Sequence, residues 1–247
     1  MSMISSVTNE IMKNFSDKVK DYIAGYSFLE EAAQKFTDLL YDEYKESIVL
    51  ARLFATVPFE KLPAANQAFV NKLAASQKIS HLINNQTLVL SLLGTHGAKA
   101  AWNDRHHSQG HVGIPLASAD FINAIPMMSR LLKELGLNLK WIESNDSEVV
   151  AKTIGKMAGL FYVPDAKTSL DHKGRKIIAA QDYVAANNVK TVFGFGGGYM
   201  LSTTFITIII FTREMIEKNI AEKFLMLVNL IKTATLSMVR EGKIFTA

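Results

Sequence analysis

The stretch from Phe205 to Phe211 constrains the fold of this chain most strongly. It is apolar except for Thr207, and isoleucine dominates it. A run this short cannot cross a bilayer as a helix, which needs about 20 residues, so it predicts a buried central strand. Val189 to Phe195 has the composition of another strand. Together with Thr203 to Phe211 it predicts an antiparallel hairpin.

A cluster of glycines, Gly194-Phe-Gly-Gly-Gly-Tyr, lies between these two strands. Dinucleotide-binding fingerprints require a helix after the glycines, so that helix amides meet the phosphate, whereas a strand follows here. The cluster therefore predicts a wide turn or a bulge. Close approach of the backbone to a ligand is the functional alternative.

Helical periodicity recurs along the rest of the chain. It is clearest in a long closing helix, Arg213 to Val239, whose apolar residues are spaced three or four apart. Ser27 with Glu30 predicts a capping box that starts an early helix. Ser147 predicts the cap of a helix that runs to Met157. Further elements are predicted as strands over 47–56 and 87–94 and helices over 9–22 and 64–75.

One more helix is predicted from Ala119 to Leu135, with Gly136 in the position after a helix end that glycine favours. Pro126 falls inside it. A proline in a helix removes a backbone donor, so Pro126 either kinks this helix or begins its second half.

Composition limits the class of function. The chain has 247 residues, 27 basic and 23 acidic side chains and hence a net charge of +4, with 49% hydrophobic residues and no cysteine. It is too apolar for a disordered chain, and it has no basic run typical of nucleic-acid binding. The lack of cysteine excludes disulfides, thiol nucleophiles and cysteine-ligated metals. We find no targeting or membrane segment and expect a cytoplasmic protein.

The order of elements resembles the GAF-like sensor fold. The segments that carry the resemblance are 47–56, 189–195, 203–211 and 213–239. It implies an α+β fold: an antiparallel sheet with the N- and C-terminal helices packed on one face and an insert rich in helices and loops on the other. We expect one domain over 27–247, preceded by an N-terminal helical extension over 1–26.

The resemblance also implies a small-molecule pocket on the sheet face opposite the terminal helices, and homodimerisation through those helices. The Asn-Lys…Phe…Asp-Glu signature of cyclic-nucleotide GAF domains is missing. GAF domains that attach bilins covalently or reduce methionine sulfoxide need cysteine, so those activities do not carry over. What remains is a small molecule bound without a covalent link.

The loop from Thr95 to Gly113 is the most unusual part of the sequence, because Trp102, Asp104 and four histidines fall within it. We interpret it as a pocket lid that contacts ligand. One alternative is a metal site, since imidazole is a common ligand, although no His-Glu-x-x-His motif occurs. Another is a purely structural polar loop. The four histidines are His96, His106, His107 and His111.

A second polar segment, from Tyr162 to Arg175, is predicted to complete the roof of the pocket. The predicted ligand contacts from both segments are Trp102, Asn103, Arg105, His106, His111, Tyr162, Asp165 and Arg175.

The function predicted from the sequence is a cytoplasmic small-molecule sensor or regulatory domain. We expect it to act as a dimer in signalling and to have no intrinsic catalysis and no catalytic residues. We expect no output domain after the last helix, so that the protein acts on a signalling partner in trans unless an output domain has been lost or truncated. We expect neither nucleic acid nor a membrane as a partner. One alternative is a metal-dependent enzyme that uses the loop 95–113. The other is an interaction protein that dimerises through its C-terminal helix.

Overall fold

The centre of the protein is an open antiparallel sheet. The computed structural model describes residues 2–108, 111–144 and 146–246, and within these ranges six strands pair in the order β3-β2-β1-β6-β5-β4. The strands are β1 (Ile48–Pro58), β2 (Leu88–Gly97), β3 (Gly113–Pro115), β4 (Ala158–Val163), β5 (Val192–Gly198) and β6 (Phe205–Thr212).

Helices cover both faces of this sheet. The first, second and last helices share a core with one face, and α4 to α7 lie over the other. No described helix is long and apolar enough to span a membrane. The helices are α1 (Asn9–Ile23), α2 (Leu29–Tyr44), α3 (Ala64–Ser76), α4 (Ala119–Ala124), α5 (Pro126–Glu134), α6 (Ser147–Gly155), α7 (Gln181–Ala186), α8 (Lys218–Glu222) and α9 (Met226–Arg240).

Strand β6 shows why the two faces form separate cores. Its side chains alternate, so Ile206, Ile208 and Ile210 pack under the terminal helices while Phe205 and Ile209 belong to the opposite core. Both faces are covered, which explains the nearly continuous apolar run. The predicted central strand is confirmed, and so is the predicted α+β arrangement of an antiparallel sheet with its terminal helices on one face.

The glycine cluster does not form the turn that the sequence predicts. Gly196 to Gly198 continue β5 in regular register with β6, and the chain turns after them, where Leu201 has a φ of +59°. Glycine is needed because α6 presses on the strand: a Cβ at Gly198 would overlap the main-chain carbonyl of Ile154. The prediction of a turn is wrong because these glycines serve close packing rather than reversal of the chain.

Two helix starts also differ from the prediction. Helix α2 begins at Leu29, and the Phe28 N–H donates to the Glu31 carboxylate at 3.2 Å, so Ser27 and Glu30 form no capping box. Helix α6 is capped by Asp146, whose carboxylate accepts the Glu148 N–H at 2.8 Å, rather than by Ser147. Because α2 begins at Leu29, Glu30 lies in the first turn of the helix, and its side chain is buried.

Two predicted long helices are interrupted. The helix predicted over 119–135 divides at Ile125, and Pro126 occupies the first position of α5, where its missing N–H has no cost. Gly136 has the expected positive φ of +89°. The closing helix begins at Lys218 rather than Arg213 and passes through a 3-10 turn over Lys223–Leu225 between α8 and α9.

Candidate ligand-binding site

A cavity of about 430 Å³ lies on the sheet face that is turned away from the terminal helices. Strands β1, β2, β3 and β6 form its floor. The α4–α5 junction and the segment that enters α7 form its roof, and the loop after β2 covers one side. The lining residues are Leu50, Arg52, Phe54, Leu90, Trp102, His111, Ile114, Ile125, Pro126, Met127, Met128, Ile177, Ile178, Ala179, Ala180, Tyr183, Ile209 and Phe211.

Most of this lining is apolar, and its few polar side chains make few hydrogen bonds. Arg52 lies on β1 at the middle of the sheet, and its Nη2 donates to Ser108 Oγ at 3.0 Å. Among the described residues, Arg52 Nε and the Tyr183 hydroxyl are buried without a hydrogen-bond partner. Buried polar groups are normally satisfied, so two such groups in one cavity indicate a place for a polar part of a ligand.

The electrostatics of the cavity are set by Arg52. Burial lowers the pKa of its guanidinium, but an arginine side chain stays protonated near neutral pH. His111 lies at the rim, where desolvation lowers the pKa of its imidazole and the charge of Arg52 lowers it further. Burial raises the pKa of Tyr183, which keeps its hydroxyl protonated. The cavity therefore holds a single positive charge beside neutral donors.

The unpaired hydroxyl of Tyr183 gives a direct test of this cavity. We expect Tyr183→Phe to leave the free energy of unfolding unchanged or to raise it by about 1 kcal/mol, because it removes a buried polar group that has no partner. Tyr199→Phe is the matched control. The Tyr199 hydroxyl is bonded to Thr235 Oγ1 at 2.6 Å, and its loss should cost about 1 kcal/mol. Urea unfolding of both variants checks this, and an equal loss in both would show that Tyr183 is already satisfied.

The loop after β2 is tied to the opposite side of the molecule by a buried ion pair. Arg105 Nε donates to Glu30 of α2 at 2.6 Å, and both side chains are more than nine-tenths buried. His106 also approaches Glu30, and the Thr246 N–H donates to the same carboxylate. Burial alone would raise the pKa of Glu30. The hydrogen bond and charge of Arg105, with smaller contributions from Thr246 and His106, lower it overall.

The structure brings only two of the eight predicted ligand contacts to the cavity. Trp102 and His111 line it, and the Trp102 ring also packs on Tyr183 with centroids 5.7 Å apart. Trp102 therefore both anchors its loop and faces the cavity. Asn103, Arg105 and His106 lie on the α2 side of the loop, around a shallower cleft.

The second predicted segment lies away from the cavity. The Tyr162 hydroxyl donates to the main-chain oxygen of Ile216 at 2.6 Å. Asp165 accepts hydrogen bonds from Thr168 in an exposed turn. Arg175 pairs with Asp171 and donates to the Asn123 carbonyl at 2.8 Å. These interactions account for the three side chains as elements of local structure.

Three of the four histidines of the loop lie beside carboxylates, and each faces a different residue. His96 lies 2.7 Å from an Asp38 carboxylate oxygen, His107 lies 2.7 Å from Asp104, and His106 is turned to Glu30. Over the ranges 2–108, 111–144 and 146–246, no group of three or more His, Asp or Glu side chains is arranged to hold a metal ion.

Arg52 and Tyr183 are the cavity residues that sequence reasoning missed. A signal for Arg52 was present, because an arginine interrupts an otherwise apolar strand, Ile48 to Ala55. A charged side chain is rarely placed in a central strand without a partner. For Tyr183 the sequence carries no comparable signal, since its place depends on how the segment before α7 folds over the sheet.

A second cleft, of about 490 Å³, lies at the other end of the same sheet face. It is bordered by the end of β1, the start of β2 and Trp141, whose Nε1 is buried without a described partner. None of the described side chains that line it is charged. Its lining is more polar than that of the cavity above Arg52, which makes the latter the better ligand site.

Comparisons with known proteins give structural similarity alone. No family model and no curated protein sequence matches the chain. A free methionine-R-sulfoxide reductase from Neisseria meningitidis, solved with its substrate, is 8% identical, with 98% of both chains covered and a TM-score of 0.48. The phycocyanobilin-bound GAF domain of a cyanobacterial phytochrome is 11% identical, with 96% of this chain and 98% of that chain covered and a TM-score of 0.48.

A further structure, described as a GAF domain, is 13% identical, with 95% of this chain and 92% of that chain covered and a TM-score of 0.45. The fold of this chain is GAF-like. That statement rests on its own strand order and on the position of its terminal helices, because similarities at this level decide nothing about function.

Proposed function

We propose that this protein is a small-molecule-binding sensor domain whose ligand occupies the cavity above Arg52. The observation that carries the proposal is the cavity itself: about 430 Å³, largely apolar, with a few convergent polar groups of which two have no described partner. Ligand pockets have this size and composition. The lining offers no covalent attachment point of the thiol type, since the chain has no cysteine, so binding is reversible.

The chemistry of the lining favours binding over catalysis. General acid–base catalysis needs a positioned proton donor or acceptor, and nucleophilic catalysis needs a nucleophile beside a base. The described lining contains His111 but no carboxylate to orient it, and the Ser108 hydroxyl at the Arg52 end accepts a hydrogen bond from the guanidinium. Thiol-based reduction of the kind that GAF-like reductases perform is excluded by the absence of cysteine.

The loop after β2 supplies a route by which occupancy of the cavity reaches the terminal helices. Its Trp102 and His111 face the cavity, while its Arg105 is fixed to Glu30 at the start of α2. The Glu30 N–H in turn donates to the Ile244 carbonyl of the C-terminal tail at 2.9 Å. A ligand that favours one position of this loop would shift the population of tail and helix positions.

The proposal also includes a homodimer formed through the terminal helices. This dimer would act on a signalling partner in trans in the cytoplasm. Two large apolar side chains on these helices support it, because Tyr22 on α1 and Met226 on α9 are about half exposed. Light scattering over a range of protein concentrations tests the dimer. A monomer at every concentration would remove the dimer while leaving the ligand site intact.

Nile red, a neutral dye that brightens in apolar surroundings, tests the cavity. We expect the wild type to bind it and Ile209→Trp to weaken binding about tenfold or more, because Ile209 lies on the cavity floor opposite Arg52 and the larger ring fills the space. Leu170→Trp is the matched control, since Leu170 is half exposed in a turn outside the cavity. Fluorescence titration gives both affinities. Equal binding by all three proteins, or by none, would contradict the proposal.

A further inference from the structure

Arg52 is unusual because it lines an apolar cavity and no described carboxylate pairs with it. Arg213 and Arg240 also lack a described carboxylate, but they lie outside the cavity. The only described hydrogen bond of the Arg52 side chain goes to the neutral hydroxyl of Ser108, and its Nε has no described partner. Gln109 and Gly110, which follow Ser108 and lie outside the described residues, carry no acidic side chain in the sequence. Three other arginines have acidic partners in the structure: Arg105 with Glu30, Arg130 with Glu134 and Arg175 with Asp171.

An unpaired charge inside an apolar cavity is costly to the empty protein. Desolvation penalises a cation that has no anion beside it, so such groups are usually paired or exposed. Arg52 lies at the centre of the sheet, between Thr95 of β2 and Ile209 of β6, so the strand pairing holds its backbone in place. A bound anion would provide the missing partner.

The other lining residues of the cavity indicate what the remainder of the ligand is made of. Apart from Arg52, His111 and Tyr183, the lining is apolar. It consists of aliphatic side chains, methionines and the rings of Phe54, Trp102 and Phe211. Such walls bind hydrocarbon or aromatic groups and offer nothing to a second charge or to a sugar. One cation among apolar walls matches a molecule with one anionic group at one end and an apolar body at the other.

We propose that the ligand class is an amphipathic organic monoacid, bound with its carboxylate on Arg52 and its apolar body against the α4–α5 junction. The guanidinium fork suits a planar carboxylate, to which two parallel N–H bonds can be donated. Ser108 Oγ lies 3.0 Å from Arg52 Nη2, and the Tyr183 hydroxyl is near enough to interact with the same guanidinium, so both supply neutral donors at this end. This inference rests on the proposed function, because it names the ligand of the same cavity.

The test compares probes that differ only in charge. Isothermal titration calorimetry of the full chain measures 2-naphthoate against 2-naphthamide, and octanoate against octanamide. We expect each acid to bind the wild type about tenfold to a hundredfold more tightly than its amide, the span that one hydrogen bond to a charged group contributes. Arg52→Met should abolish this preference while the amides still bind. Arg240→Met, which removes an exposed cation on α9, should keep it.

The possible outcomes distinguish a failure of this inference from a failure of the proposed function. Equal binding of acid and amide by the wild type would overturn the anionic ligand but would leave a cavity that binds small molecules. Preference for the acid that survives in Arg52→Met would overturn the role of Arg52. Failure of all four probes to bind would overturn the inference, and the Nile red titration then decides the function separately. Arg52→Gln, checked by thermal unfolding, replaces the methionine variant if that protein does not fold.

Discussion

Replacing Arg105 with alanine is expected to lower the free energy of unfolding by about 3–5 kcal/mol, because it leaves the carboxylate of Glu30 buried without its main partner. Both side chains are more than nine-tenths buried in the intact pair, so little water replaces the lost hydrogen bond. His106 and the Thr246 N–H still face Glu30 but carry less of its stabilisation. Urea unfolding at neutral pH measures the effect.

The matched control for Arg105→Ala is an ion pair at the surface. Lys18 and Glu43 lie 3.3 Å apart with both side chains partly exposed, and Lys18→Ala should change the free energy of unfolding by less than about 1 kcal/mol. The double variant Glu30→Met with Arg105→Met should recover much of the loss, since it removes both charges together. A loss below about 1 kcal/mol in Arg105→Ala would mean that solvent reaches this pair in solution.

The pH dependence of the same pair has a definite sign. The pKa of Glu30 is lower in the folded protein than its ordinary value of 4.5, so its contribution to stability is present above that value and is lost as the pH falls through the lowered folded pKa. In Arg105→Ala the stabilising partner is gone, so the variant loses less on acidification. The difference in unfolding free energy between wild type and variant should therefore shrink when urea unfolding is repeated below pH 4.5.

Much of the fold follows from local pattern. The apolar run around Thr207 could only be a central strand, and the periodicity of the closing helix identified the residues that pack on the sheet. Periodicity gives the two faces of a strand but not the direction in which each faces. For that reason the sequence could place Arg52 in a strand but could not show that its side chain faces a cavity.

The candidate site depends on contacts between distant residues, which a single sequence does not reveal. Glu30 and Arg105 are 75 positions apart, and their pairing turns one side of the loop after β2 toward α2. Asn103, Arg105 and His106 were predicted as ligand contacts because they are polar residues in a loop. Their side chains are used to hold that loop, and this leaves Trp102 and His111 on the cavity side.

Substitution of Gly198 is expected to have the second large effect on stability. Replacing it with alanine is expected to lower the free energy of unfolding by about 3 kcal/mol, because the added Cβ would overlap the carbonyl of Ile154, and a main-chain atom cannot move aside as the end of a side chain can. The Gly198 N–H also donates at 3.0 Å to the carbonyl of Met157, which lies between α6 and β4, so pushing this segment away from β5 breaks a hydrogen bond as well.

Gly25→Ala is the same chemical change in a place that accepts it. A Cβ on Gly25 meets no atom within 4 Å, and its backbone is not in the left-handed region. Alanine there should raise the free energy of unfolding by about 0.5 kcal/mol, because it restricts the unfolded chain. If Gly198 lay in a wide turn or a bulge with open space beside it, the two variants would behave alike under thermal or urea unfolding. A large loss confined to Gly198→Ala requires that α6 be packed against β5 in solution.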